Sequence, residues 1–353
     1  MGHAEDLHSS TSVVNETAEL AESGPVPVAT GSRRRTETLR DLGYRWAVVL
    51  LWGVLIGIFG ALRPDSFLTA ANFQTIFNSQ AALAVLSLSL IPTLIVGEFD
   101  LSIAANAGVT ATLVGSLNVL HGWPIGLAVV VGLLLSLTIG LVNGLIVVRL
   151  GVNTIVVTLG MATFLDGVSV AVSGSQTVGG VSTHLTAFMT SKVLGLQVVF
   201  VVAIVVVAIV SYVLRQTSTG RRMLFIGQGG EVARLTGVRV VLLRLGAFVC
   251  GGLLCGLSGI MSLGAQGGVS PSLAETQLLP AFAAAFLGTV VLDPGRFNAW
   301  GTAIAIYFLA TGVIGLEILG LSGWISNIFY GASLVLAVTA STIVRTRIVR
   351  RHL

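Results

Sequence analysis

Hydrophobic runs of about 20 residues, broken by short polar turns, limit what this chain can fold into more than any other feature. Residues 124–148 are an example: Pro-Ile-Gly-Leu-Ala-Val-Val-Val-Gly-Leu-Leu-Leu-Ser-Leu-Thr-Ile-Gly-Leu-Val-Asn-Gly-Leu-Ile-Val-Val carries no charge. A soluble core has no use for such a run. A helix rising about 1.5 Å per residue needs about 20 residues to cross hydrocarbon roughly 30 Å thick. Ten segments qualify: 46–62, 75–96, 101–120, 124–148, 154–173, 194–214, 244–264, 276–292, 298–316 and 322–344. The third and eighth are rich in small residues, as packed membrane helices often are. Charged residues make up only 10% of the chain, too few to cover a soluble domain of this length. The expectation is an all-α, polytopic membrane protein of about ten transmembrane helices.

The remaining charges give the orientation. With the N-terminus inside, the inner segments are 1–45, 97–100, 149–153, 215–243, 293–297 and 345–353. All of the 19 Lys and Arg residues except Arg63 and Lys192 then lie in these segments or at an adjoining helix end, as the positive-inside rule asks. Both termini are therefore expected in the cytoplasm of a prokaryote, with a transmembrane domain over 46–344 in the plasma (inner) membrane. Residues 1–45 pass from acidic (Glu5, Asp6, Glu16, Glu19, Glu22) to basic (Arg33-Arg34-Arg35) and have the composition of a disordered tail. They are too long and too acidic for a secretory signal peptide. Residues 345–353 make a basic cytoplasmic tail. The isoelectric point near 9.6 does not mark a nucleic-acid binder, because the arginines sit at segment ends; membrane lipid is the partner it implies. On the outside, Ser173–Gly180 is small and polar, a flexible loop.

One long polar stretch, 215–243, separates two hydrophobic segments. Within it Gly229 and Gly230 precede Glu231–Thr236, and Gly237 follows. That is the punctuation of a short helix with an acid in its first turn. A helix only about 10 Å long is not stable alone, so it is expected to pack on another protein, with small, apolar Ala233 in the contact.

No covalent chemistry is expected. A P-loop needs G-x-x-x-x-G-K-[ST], and the only lysine, Lys192, sits in Met-Thr-Ser-Lys-Val. The histidines have no metal-ligand spacing. Cys250 and Cys255 point in different directions from one helix and cannot bridge. No nucleophile–base set stands out. Some polar features remain. Glu98 and Asp100, in Gly97-Glu-Phe-Asp-Leu-Ser102, either cap the next helix or line a pathway at a broken helix. Asp166, mid-way in the fifth segment, should face the bundle or a cavity, as a hydrogen-bonded acid or as a proton relay. Asn106, Asn143, Asn153, Gln266, Gln277 and Asn327 either join helices or meet a hydroxylated solute. The candidate translocation-pathway residues are Glu98, Asp100, Asn106, Asp166 and Gln266.

Thr217-Ser-Thr-Gly220-Arg221, Ile226-Gly227 and Val232-Ala-Arg-Leu-Thr-Gly237-Val238 resemble the cytoplasmic loop of permease subunits of ribose/xylose/arabinose/galactose-type ABC sugar importers. That loop typically reads T-x-x-G-R, I-G-G-N and A-A-R-L-S-G-I. Gly97–Ile103 resembles the family's G-G-I-D-L-S-V, and Val157–Gly160 its I-V-T-L-G. Leu287-Gly288, Gly295-Arg296 and Gly301-Thr302 resemble a later glycine-rich region. The likeness covers roughly residues 75–344. It implies import of a monosaccharide or similar small polar solute by alternating access. It implies a second permease subunit in a homodimer or heterodimer, two ATP-binding subunits and an extracytoplasmic solute-binding protein. ATP and Mg would sit on the ATP-binding subunits, with no cofactor on this chain. Gly220, Arg221, Gly230, Glu231, Ala233, Arg234, Leu235 and Gly237 would form the ATPase-coupling loop. The chain departs from the pattern at Gly229, where the family has asparagine, and at Glu98, where it has glycine. It departs again at Val152-Asn153-Thr154 and Leu278-Leu279-Pro280, which bear on which sugar or polyol is carried. The rival reading is a secondary transporter coupled to protons through Asp166 or Glu98, which would need no ATPase.

Overall fold

The computed structural model describes residues 31–351 apart from Leu194 and Ser322, with side chains from Trp46 to Ile343. Contacts divide the chain between Gly43 and Tyr44. Of the first unit, the helical backbone from Gly31 onward is described; the part of the expected tail before it lies outside the described residues. The helix starts this early because Thr36-Glu-Thr-Leu-Arg-Asp-Leu42 has neither glycine nor proline to break it.

In chain order the helices are α1 (Gly31–Leu62), α2 (Pro64–Phe67), α3 (Ala70–Ser79), α4 (Ala81–Ile95), α5 (Ile103–Val119), α6 (Ile125–Leu150), α7 (Thr154–Ser173), α8 (Thr183–Thr190), α9 (Val198–Gln216), α10 (Ser218–Gln228), α11 (Gly230–Leu235), α12 (Val240–Gln266), α13 (Leu273–Gly288), α14 (Ala299–Ile318) and α15 (Trp324–Arg351). Seven stretches among the described residues are long and apolar enough to cross a membrane: Ala70–Ile95, α6, α7, α9, α12, α14 and Trp324–Ile343. Trp46–Leu62, α5 and α13 are shorter apolar helices. Each of the ten hydrophobic segments is therefore helical over most of its described length, and the chain is an all-α polytopic membrane protein.

Burial separates the inner helices from the lipid-facing ones. Every residue of α4 is buried, whereas Leu50, Val54, Val335 and Leu336 lie exposed on α1 and α15, as lipid contact permits. At the centre, α12 packs on α4, α5 and α6. Small residues allow it. A Cβ on Gly140 would stand 2.4 Å from the Phe248 carbonyl oxygen, and one on Gly259 would stand 2.2 Å from that of Ala107, so glycine is required for the backbones to approach this closely. Ser258 donates to the Ala82 carbonyl at 2.7 Å and Ser136 to that of Gly252, adding polar ties where no water competes.

Ser173–Gly180, expected as a flexible loop, is more ordered than its composition suggests. Val178–Gly179 (β1) pairs antiparallel with Gly268–Val269 (β4), and α8 follows. The reason is apolar: Val178, Val181 and Val269 are buried with Val114 and Leu263. A second small ribbon pairs Lys192–Val193 (β2) with Leu196–Gln197 (β3).

The 215–243 stretch lies at one end of α12 and the β1–β4 pair at its other end. At about 1.5 Å per residue, the 27 residues of α12 put roughly 40 Å between them. In a background lacking Cys250 and Cys255, Ser175→Cys is expected to react with an impermeant maleimide added outside cells, and Gln228→Cys is not. Labelling of Gln228→Cys would reverse the orientation read from the arginines.

Candidate functional site

The polar stretch folds as two helices clamped to the bundle. Thr217 caps α10 by accepting from the Gly220 amide at 3.2 Å. Gly220 has no room for a side chain: its Cβ would lie 2.3 Å from the Leu214 carbonyl oxygen, because α10 folds back sharply on α9. Arg221 is exposed. Arg215, in the last turn of α9, pairs with Asp293. Further along, a Cβ on Gly227 would stand 2.0 Å from the Ile95 carbonyl oxygen, so α10 rests directly on the end of α4. Met223 and Ile226 bury the inner face of α10.

The short helix α11 then turns outward. Gly230 opens it with open space around its Cα. Ala233 is fully buried among this chain's own residues, in the cluster that holds Met223, Ile226 and Val96. This corrects the expectation that Ala233 faces a partner: the side chain is the anchor of the helix. The outward face is Glu231, Val232, Arg234 and Leu235, with Leu235 86% exposed. Gly237 ends the helix at φ +83°. Its amide donates to the Arg234 carbonyl at 3.0 Å, and the Val238 amide to that of Ala233 at 3.1 Å. That left-handed closure favours glycine because it has no Cβ.

Beneath the loop lies the 97–102 connection. Gly97 closes α4 the same way, at φ +88°, with the Glu98 amide donating to the Thr93 carbonyl at 2.9 Å. Glu98 is 7% exposed. One of its carboxylate oxygens pairs with the Arg244 guanidinium of α12, and the other accepts from the Thr154 hydroxyl of α7. Asp100 accepts from the Ser102 amide at 2.9 Å and hydroxyl at 2.6 Å, the bonds of the capping alternative. Burial pushes the Asp100 carboxyl above the usual carboxylate range, and the Ser102 bonds oppose that shift. Asn143 donates to the Ser102 hydroxyl at 2.9 Å, and the Leu101 amide to that of Thr158 at 3.0 Å. The connection is thus tied to α6, α7 and α12.

The other candidates are not gathered here. Asn106 is buried and donates to the Ser136 carbonyl at 3.2 Å, joining α5 to α6, while its own Oδ1 has no partner among the described residues. Asp166 is half-buried on α7. The neighbouring charge that acts on it is another acid, Glu275, and neither ion pair among the described residues includes it. Gln266 lies at the far end of α12. Sequence reasoning missed Arg244 and Thr154 as the partners of Glu98. A cation near the start of a helix opposes the helix dipole, which is a signal that Arg244 serves something else.

The family described as branched-chain amino acid transport system / permease component matches residues 72–338. The chain belongs to that family, and it is a multi-pass membrane permease. The autoinducer 2 import system permease protein of Yersinia enterocolitica is 28% identical over 86% of this chain and 93% of its own length. The D-allose transport system permease protein of Escherichia coli is 23% identical over 85% and 92%. No solved structure matches.

Proposed function

We propose that this chain is the permease subunit of an ATP-binding-cassette importer in a bacterial inner membrane, carrying a monosaccharide or similar polyhydroxylated solute by alternating access. The observation that carries this reading is α11. It is a short helix presenting Val232 and Leu235 outward, yet fixed to the bundle through Ala233, Gly237 and the seat of Gly227 on α4. A partner pushing there would move the ends of α4 and α12 together. The partners are two ATP-binding subunits, which hold the ATP and Mg, a second permease subunit in a homodimer, and an extracytoplasmic solute-binding protein. The chain itself catalyses no reaction and binds no cofactor. Its relatives' import of autoinducer 2 and transport of D-allose support a sugar-like solute.

Uptake is expected to fall at least a hundredfold when the P-loop lysine of the partner ATPase is replaced. It should persist when a protonophore collapses the proton gradient and ATP is held constant. Uptake by this chain alone, driven by a pH gradient in liposomes, would establish the proton-coupled reading instead.

A further inference from the structure

Eight glutamines occur in the chain, and four of them, Gln74, Gln197, Gln266 and Gln277, line a single cavity of about 710 Å³ together with Asn78 and Lys192. They come from α3, β3, α12 and α13, so the fold, not local sequence, brings them together. We propose that this cavity is the receiving site for an uncharged, polyhydroxylated solute, at the end of the bundle remote from α11. The proposal rests on the importer reading above and names where its solute enters.

The volume falls within the roughly 300–1,000 Å³ of small-molecule sites. Each amide offers both donors and acceptors, which suits hydroxyl groups that also give and take. The chain's own bonds pre-set two of them. Gln266 donates to the Ser262 hydroxyl at 2.7 Å, which leaves its carbonyl to accept. The Asn78 side-chain carbonyl accepts from the Gln197 backbone N–H at 3.4 Å, which leaves its NH₂ to donate. Among the described residues the wall has no carboxylate, and its only apolar side chains are alanines. A protonated amine would meet the Lys192 ammonium with no counter-charge. Among the described residues, a branched-chain amino acid would find no carboxylate for its ammonium and no apolar surface beyond alanines for its side chain. The wall also has, among the described residues, no aromatic ring on which a sugar face could stack. Holding by hydrogen bonds alone is weak, because each replaces one to water, and weak holding suits a site that must release its load.

The test uses the full importer in liposomes, with its ATP-binding subunits and solute-binding protein, and radiolabelled D-allose and D-ribose as probes. The double variant Gln266→Leu/Gln277→Leu is expected to lose at least tenfold in uptake rate at saturating binding protein, while still co-purifying with the ATP-binding subunits. Gln176→Leu, exposed and outside the cavity, should transport like the native chain. In cells, Gln277→Cys in a background lacking Cys250 and Cys255 should react with an impermeant methanethiosulfonate added outside, and the reaction should block uptake. Native uptake with an undiminished double variant overturns the cavity and spares the importer reading. No uptake of either sugar by the native importer overturns both. Failure of Gln277→Cys to react overturns the placement of the cavity whatever solute is carried.

Discussion

Leu235→Asp is expected to separate this chain from its ATP-binding subunits while leaving the membrane bundle folded. Leu235 is 86% exposed, so its replacement removes little that the bundle uses, and surface changes of this kind usually fall within about 0.5 kcal/mol. In a complex the same side chain becomes the projecting apolar anchor of a six-residue helix. Removing an anchor of that kind costs about 2 kcal/mol or more, roughly 30-fold in affinity, and a buried aspartate adds an unpaired charge. The expected result is normal membrane levels, loss of co-purifying ATPase, and uptake at background. Ala233→Glu should behave differently. With Ala233 fully buried in the chain's own core, a glutamate there displaces α11 itself and should also lower the protein's membrane level. A Leu235→Asp chain that binds the ATPase and transports like the native one would remove α11 from the coupling role.

The contrast between those two residues shows where reading the sequence stops. The apolar runs declare themselves because length and hydropathy are local properties, and each segment so marked carries a helix over most of its described length. The glycines of the loop are equally legible, since Gly237 must take positive φ and leave the helix. Which side of α11 faces inward is not legible. Periodicity needs a window of about 11–18 residues, and this helix completes less than two turns. Ala233 looked like a docking residue because it is small, and it is small because it packs against α10.

Long-range partners were hidden for a different reason. Glu98 and Arg244 are 146 residues apart, and no local pattern joins them. Of the cavity's amides, the sequence singled out Gln266 and Gln277 and not Gln74 or Asn78 of α3, because only the crossing of α3, α12 and α13 gathers them around one cavity. Ser173–Gly180 reads as a flexible loop because its residues are small and polar. Val178 and Val181 were sufficient to pin it once Val269 was opposite.

The Glu98–Arg244 pair carries the second large effect, and the direction of its asymmetry can be stated in advance. Glu98 keeps 9% of its side-chain exposure and Arg244 keeps 31%. Arg244→Leu therefore strands a carboxylate in a closed site, with only the Thr154 hydroxyl to support it. Breaking an enclosed pair in this way costs about 3–5 kcal/mol. Glu98→Gln should cost less, because Arg244 can still reach solvent and the new amide can still accept from Thr154. Removing both charges together, as Glu98→Leu/Arg244→Leu, should recover much of the loss, since most of the penalty is the stranded charge and not the missing attraction. Thermal unfolding of the purified chain in detergent measures all three. The order expected is native, then the double leucine variant and Glu98→Gln, then Arg244→Leu lowest by several degrees. Uptake should follow, because Arg244 lies near the start of the helix that leaves the coupling loop and Glu98 lies just past the end of the one on which that loop rests. If Glu98→Gln costs more than Arg244→Leu, or if the single losses simply add in the double variant, the two side chains act separately. The link from the coupling loop to α4 would then run through the Gly227 contact and the apolar cluster of Ala233, Ile226 and Val96.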